Sequence, residues 1–115
     1  MRNSSLDKNR ESGSQILRRL ARVSGYGVRI AWFVDAMVRK LDQNSHKEGW
    51  EGCTLQYLSM RLTQEREELR RAIERRDLPG EVTAECADIA LFSMMIADVY
   101  RHMHRTATLA REAGL

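Results

Sequence analysis

The stretch AECADIALFSMMIADV, residues 84–99, decides the fold. At about 100° per residue, its apolar side chains are not confined to one face of a helix. Ile89 and Phe92 lie on one side, whereas Leu91 lies on the reverse side. A helix that is apolar nearly all round must be covered on both sides. The pattern therefore predicts a long buried helix, from near residue 81 to about residue 104.

Two other long helices and a short one are expected upstream. Apolar residues recur at three-four spacing over residues 26–41, which is typical of a one-sided helix. Thr54 is a plausible N-cap for the next helix, which ends before Pro79. Residues 14–27 hold a short amphipathic helix. The fold class predicted is all-α, an antiparallel bundle of three long helices plus short terminal helices, with its core completed by homo-oligomerisation as a dimer or tetramer.

The length of 115 residues bounds the chain to one domain. Residues 1–14 are polar and charged without periodicity, so we expect a disordered lead-in followed by a single domain over residues 15–115. The polar amino terminus and only two cysteines favour a reduced, cytoplasmic protein. Residues 86–97 form the longest weakly charged run, far short of the roughly 20 apolar residues of a membrane span. No membrane association is expected.

The charge is split along the sequence. Residues 1–40 hold nine basic and three acidic residues, whereas the remainder holds ten basic and thirteen acidic residues. Such a split suits either a nucleic-acid-binding arm or a site that gathers cations and a polyanion. In a DNA-binding alternative, residues 16–34 would form a helix-turn-helix. That alternative is less favoured, because it puts Trp32 and Phe33 where a recognition helix presents polar groups. A non-catalytic helical dimer is a third hypothesis.

Two acidic pairs share one spacing. Glu85 and Asp88 lie in the apolar helix with no cation three or four residues away, and burying unpaired anions costs several kcal/mol each. Glu65 and Glu68 repeat the spacing on the preceding helix, where a solvated face with arginine pairs is the alternative. Glu67 points away towards arginines. Helices joined by a short turn would bring the four carboxylates together, and such an oxygen-only set suits Mg²⁺ or Mn²⁺.

The sequence resembles a known family at this point, through the motifs Glu65-x-x-Glu68 and Glu85-x-x-Asp88. They resemble the E-x-x-E…E-x-x-D signature of the MazG-like all-α nucleoside triphosphate pyrophosphohydrolases, over about residues 26–104. The family often has an acidic doublet where this chain has Gln64, so Gln64 is given no metal role. The resemblance implies Mg²⁺-dependent hydrolysis of a nucleoside triphosphate, with a deoxynucleotide favoured, to the monophosphate and pyrophosphate.

The resemblance also implies roles for individual side chains. The four motif carboxylates would hold the metal, and Glu68 is our choice among them for the catalytic base. In related enzymes an aromatic and a basic residue from the first interhelical loop face the nucleotide. Trp50 would accordingly stack on the base, His46 would hydrogen-bond it and Lys47 would reach a phosphate. The alternatives are a tryptophan that caps the core and two ordinary surface residues.

Overall fold

The computed structural model describes residues 12–23, 25–44 and 49–114. All regular secondary structure in these ranges is α-helical, which confirms the predicted all-α class. The helices are α1 (Gly13–Arg22), α2 (Gly27–Gln43), α3 (Leu55–Glu74) and α4 (Pro79–Glu112). Residues 1–11, most of the predicted disordered lead-in, lie outside the described ranges. No helix in those ranges combines the length and the apolarity that crossing a membrane requires.

Short polar side chains fix the starts of α1 and α3. The Ser12 hydroxyl accepts a hydrogen bond from the Gln15 N–H at 3.2 Å, and the Gln15 side chain accepts one from the Ser12 N–H at 2.7 Å. This capping box starts α1 two residues before the expected end of the lead-in. Thr54 caps α3 as predicted, because its hydroxyl accepts from the Tyr57 N–H at 3.1 Å.

The loop between α3 and α4 stops α3 without a glycine. Arg76 adopts a left-handed backbone with φ of 56°, and its N–H donates to the Ile73 carbonyl at 3.0 Å. The next N–H, that of Asp77, donates to the Ala72 carbonyl at 3.0 Å. These two bonds form the Schellman arrangement that closes many helices, usually around a glycine. The predicted break is confirmed, but Arg76 makes the turn.

Pro79 belongs to α4 itself. It occupies the first turn of the helix, where a missing N–H leaves no hydrogen bond unmade. The Glu81 side chain accepts from the Leu78 N–H at 3.3 Å and supports the same turn. The helix therefore begins two residues before the expected start at Glu81, and it continues to Glu112 without a break after His104.

The chain divides into two compact units, residues 1–35 and 36–115. In the first unit, α1 meets the start of α2 at Gly27. A Cβ atom on Gly27 would lie 1.9 Å from the Leu20 carbonyl oxygen, so no other residue fits without moving the backbone. Gly25 turns the chain between the helices with φ of 70°.

The second unit contains the helical hairpin of α3 and α4 and the carboxyl-terminal end of α2. The buried apolar side chains among its described residues are few: Leu58, Ala72, Ala87, Leu91 and Val99. Ala87 and Leu91, on the reverse face of α4, are buried, whereas Ile89 and Phe92 are half-buried. The three-helix bundle with an oligomeric core stays a prediction. The hairpin is the part of the fold that positions the acidic side chains.

Candidate metal centre

Three of the four motif carboxylates meet between α3 and α4. One oxygen each from Glu65, Glu68 and Glu85 lies within 4.8 Å of the others. Glu65 and Glu68 lie one turn apart on α3, so both project towards the partner helix. Because the connecting loop is short, Glu85 follows it on α4 at about the distance at which Glu68 precedes it. We call these three residues the carboxylate cluster.

Burial is graded across the carboxylate cluster. Glu65 is 5% exposed and is the most buried member, Glu85 is half-buried and Glu68 is exposed. The cluster therefore combines a desolvated end with an end open to water. Of the pair Glu65 and Glu68, Glu65 is buried, whereas Glu68 is exposed, as the solvated-face alternative expected. Glu65 differs from the other glutamates of α3 in being buried.

Two oxygens of the cluster have no hydrogen-bond donor in the described residues: Glu65 Oε2 and Glu85 Oε2. The other oxygen of Glu65, Oε1, accepts from Arg61 at 3.0 Å. Ionised carboxylates only accept hydrogen bonds, so Glu68 can bond to either neighbour only if one of the pair holds a proton. The cluster thus needs a shared proton or a further cation to balance its charge.

The proton affinities of the cluster follow from this geometry. Burial, the neighbouring charges of Asp88 and Glu68 and a hydrogen bond to Glu68 raise the pKa of Glu65 to about 7, against the opposing charge of Arg61. Burial first, and then Glu68 and Asp88, also raise the pKa of Glu85. Both groups therefore hold protons more strongly than an ordinary glutamate does. A cation that binds here competes with these protons.

Asp88, the fourth motif residue, lies beside the cluster and pairs with a cation. Its Oδ2 lies 3.2 Å from Nζ of Lys40, which comes from the last turns of α2. Asp88 has no cation three or four residues away on its own helix, and its partner comes instead from α2. The charge of Asp88 still reaches Glu65 and Glu85, whose pKa values it raises.

The donor set suits a hard divalent cation. Carboxylate oxygens, with water completing the shell, are the ligands that Mg²⁺ and Mn²⁺ prefer. Glu65 and Glu85 each carry a buried oxygen that has no hydrogen-bond donor among the described residues, and Glu68 is exposed to water. The residues present therefore fit the metal that the family resemblance implies.

A groove of about 510 Å³ adjoins the cluster, a volume typical of small-molecule sites. Its walls carry acids, cations and aromatic rings together: Glu65 and Asp88, Lys40 and Arg61, and Trp50, Tyr57 and Phe92. The Arg61 guanidinium lies over the Phe92 ring, 5.1 Å from its centroid. Such walls suit a ligand that carries both a flat ring and negative charge.

Trp50 is held in the groove wall by α4. Its indole N–H donates to Asp98 Oδ2 at 3.0 Å, and Asp98 Oδ1 accepts from Arg101 at 2.9 Å. The hydrogen bonds from Trp50 and then Arg101 lower the pKa of Asp98, which stays ionised. Trp50 thus lies in the groove as a positioned ring. His46 and Lys47, the other predicted nucleotide contacts, lie outside the described residues.

Three site residues were missed by the sequence analysis: Lys40, Arg61 and Asp98. Arg61 precedes Glu65 by four residues, so the spacing of helical ion pairs could have found it. Asp98 has Arg101 three residues further along its own helix, but its bond to Trp50 in a loop carries no such local signal. Lys40 carries none either, because its partner lies on another helix. Their placement depends on the tertiary fold.

Comparison of the chain with models of protein families, with curated proteins and with solved structures finds no match in any of the three. The resemblance to the MazG-like enzymes therefore rests on the two acidic pairs and on the helices that carry them.

Proposed function

We propose that this chain is a Mg²⁺-dependent nucleoside triphosphate pyrophosphohydrolase, with deoxynucleoside triphosphates as favoured substrates. One observation carries the proposal: a carboxylate cluster with two buried, unpartnered oxygens adjoins a groove that carries cations and aromatic rings. A nucleoside triphosphate has complementary parts, a flat base and a polyanion that binds divalent cations. The spacing of the acidic pairs agrees with the MazG-like motif.

The proposed roles follow from burial and position. Glu65, Glu68 and Glu85 hold Mg²⁺, and Asp88 joins them as the fourth carboxylate. When bound, the ion neutralises the triphosphate and polarises its α-phosphoryl group. Trp50 stacks on the base from the groove wall, and the Arg61 guanidinium offsets phosphate charge.

The proposed reaction breaks the bond between the α-phosphorus and the oxygen that bridges to the β-phosphate. A water oxygen attacks the α-phosphorus and stays on the monophosphate, and the bridging oxygen leaves with pyrophosphate. Glu68 is the proposed base for the water proton, because it is the exposed member of the carboxylate cluster. Mn²⁺ is expected to replace Mg²⁺, since both prefer oxygen ligands.

We also infer that the chain works as a homo-oligomer, with a dimer as the simplest form. Large apolar side chains are exposed along its helices, including Trp32, Leu78 and Tyr100, and Val28 is 83% exposed. A second copy that covers them would complete the thin core. Analytical ultracentrifugation at micromolar concentration should give a dimer or tetramer. A monomer there would contradict the inference.

The cytoplasm is the proposed location. Cys53 and Cys86 are both free thiols in the structure, and the cytoplasm keeps such thiols reduced. Fractionation of cells that express the tagged protein should recover it with cytoplasmic markers. Recovery from an oxidising compartment would contradict the proposal.

The function is tested with a panel of dNTPs and NTPs, supplied with Mg²⁺, with Mn²⁺ or with chelator. Release of monophosphate and pyrophosphate that depends on metal is the expected result. In ¹⁸O water the label should enter the monophosphate, because the water attacks the α-phosphorus. No metal-dependent product across the panel would refute the proposal, and label in pyrophosphate, which attack on the β-phosphorus would give, would refute the bond assignment.

A further inference from the structure

Lys40 and Asp88 form an ion pair at the edge of the carboxylate cluster. Nζ of Lys40 lies 3.2 Å from Asp88 Oδ2, and the two side chains are 25% and 21% exposed. Asp88 is close enough to act electrostatically on both Glu65 and Glu85. The ammonium is therefore a monovalent cation bound to an acid that adjoins the candidate metal centre.

Lys40 also acts on the carboxylate cluster itself. Its charge opposes the rise in the pKa of Glu85, so it lies within electrostatic reach of a second acid. It lines the same groove as Glu65 and Arg61. Arg61 has a bidentate, planar head that is already bonded to Gln64 and Glu65, whereas lysine carries a compact charge on a flexible stem. Of these two cations, Lys40 is the one that can move away without breaking a network.

We propose that Lys40 is a built-in competitor of the divalent cation, holding Asp88 in the metal-free protein and giving it up when the cluster binds metal. The inference rests on the proposed function, because it concerns the same metal site. It goes beyond that function by assigning Asp88 two alternating cationic partners. Lys40 then sets the metal affinity of the site.

The proposal makes a prediction with a definite sign. A lysine that lay away from the metal centre would, when removed, leave metal binding unchanged. A competitor, when removed, strengthens metal binding, because the divalent cation no longer has to displace an ammonium and meets one positive charge fewer. The released ammonium is available to a phosphate group in the groove.

The test is Mn²⁺ binding to the full chain by isothermal titration calorimetry, without nucleotide. Lys40→Met should bind Mn²⁺ about threefold to tenfold more tightly than the wild type, and Lys40→Arg should stay near the wild type. Arg70→Gln is the matched control, since it removes one positive charge from an exposed ion-pair group of α3. Unchanged or weaker binding by Lys40→Met would overturn the inference alone. A wild-type chain that binds no Mn²⁺ would overturn the proposed metal site as well.

A second measurement uses the wild-type chain and so does not depend on the folding of a variant. The sequence has three lysines, Lys8, Lys40 and Lys47. Reductive methylation, read by mass spectrometry, should modify Lys40 faster with Mg²⁺ than with chelator, while Lys8 stays unchanged as the reference. An equal or slower rate at Lys40 in the presence of Mg²⁺ would overturn the proposal.

Discussion

Glutamates on the two faces of α3 have opposite electrostatic surroundings. The outer face carries Glu67, Arg70 and Glu74, and the inner face carries Glu65 and Glu68. On the outer face Arg70 donates to Glu67 at 3.0 Å and also pairs with Glu74. The hydrogen bond from Arg70 lowers the pKa of Glu67. On the inner face, two residues away, burial and neighbouring acids raise the pKa of Glu65 to about 7.

The difference lies in the partners that each face meets. The outer glutamates meet arginines of their own helix and water, so their charges are balanced where they lie. The inner glutamates meet Glu85 across the hairpin, and two of the oxygens there have no donor in the described residues. The inner face therefore needs a shared proton or a cation from outside the chain, whereas the outer face balances its own charges.

Replacing Glu85 by Gln should produce the largest effect. We expect metal-dependent turnover to fall by about 100-fold or more, because a ligand is lost. In chelator the variant should be at least as stable as the wild type, because one repelling charge is removed. Turnover assays and thermal melts measure the two effects.

The matched control for that variant is Glu67→Gln on the outer face. It removes a carboxylate from the same hairpin and should leave turnover unchanged. If both variants lose activity equally, or if Glu85→Gln unfolds in chelator, the inner face is structural and the contrast between the faces fails.

The pH dependence of stability tests the same difference between the two faces of α3. Glu65 has a folded pKa of about 7 against an ordinary 4.5, so between these values the folded state binds more protons than the unfolded state. Stability of the metal-free protein therefore falls as the pH rises through this window. The melting temperature in chelator should drop by several degrees between pH 5 and pH 8.

The groups that surround Glu65 define the control for this measurement. Glu68 and Asp88 raise its pKa and Arg61 lowers it, so Glu65→Gln should remove this part of the pH dependence while these neighbours remain. Added Mg²⁺ should also reduce the drop, since it binds the ionised form. A wild-type melting temperature that rises from pH 5 to pH 8 relative to Glu65→Gln would contradict the raised pKa.

Trp50→Phe should have an intermediate effect. Phenylalanine keeps a ring but loses the N–H that bonds to Asp98, so the ring is no longer fixed in the groove. We expect KM for the nucleotide to rise about tenfold with little change in kcat. Trp32→Phe, at an exposed tryptophan of α2, keeps an aromatic ring for the inferred interface between copies and is the control that should leave KM unchanged. Equal effects of the two variants on KM would show that Trp50 does not contact the nucleotide.

Arg70→Gln should have the smallest effect. Exposed ion pairs on a helix contribute little because water and salt screen them. The melting temperature should therefore change by no more than the error of the measurement, and added salt should abolish any difference. A large loss of stability would mean that the outer face also depends on its charges.

Much of the hairpin was predictable because its signals are local. Thr54 could be identified as a cap from its type and position, and the three-residue spacing of Glu65 and Glu68 placed both on one face. A short connection between helices then fixed which faces meet. Periodicity and loop length together were enough to bring three carboxylates to one place.

The features that the sequence did not predict depend on tertiary structure or on a rare backbone conformation. The partner of Asp88 comes from α2, and no pattern within α4 points to Lys40. Trp50 meets Asp98 across a sequence separation of 48 residues. Arg76 takes a left-handed conformation that glycine usually adopts, so its sequence position gave no sign of the turn.

Anomalous diffraction from crystals grown with Mn²⁺ tests most directly whether the inner face of α3 binds a metal ion. We predict an anomalous peak between the carboxylates of Glu65, Glu68 and Glu85, with oxygen distances near the roughly 2.1 Å of hard-cation sites. Loss of that peak in Glu85→Gln would confirm the ligand set. A wild-type map with no peak there, at Mn²⁺ concentrations that saturate ordinary sites, would contradict a metal centre and leave proton sharing to balance the cluster.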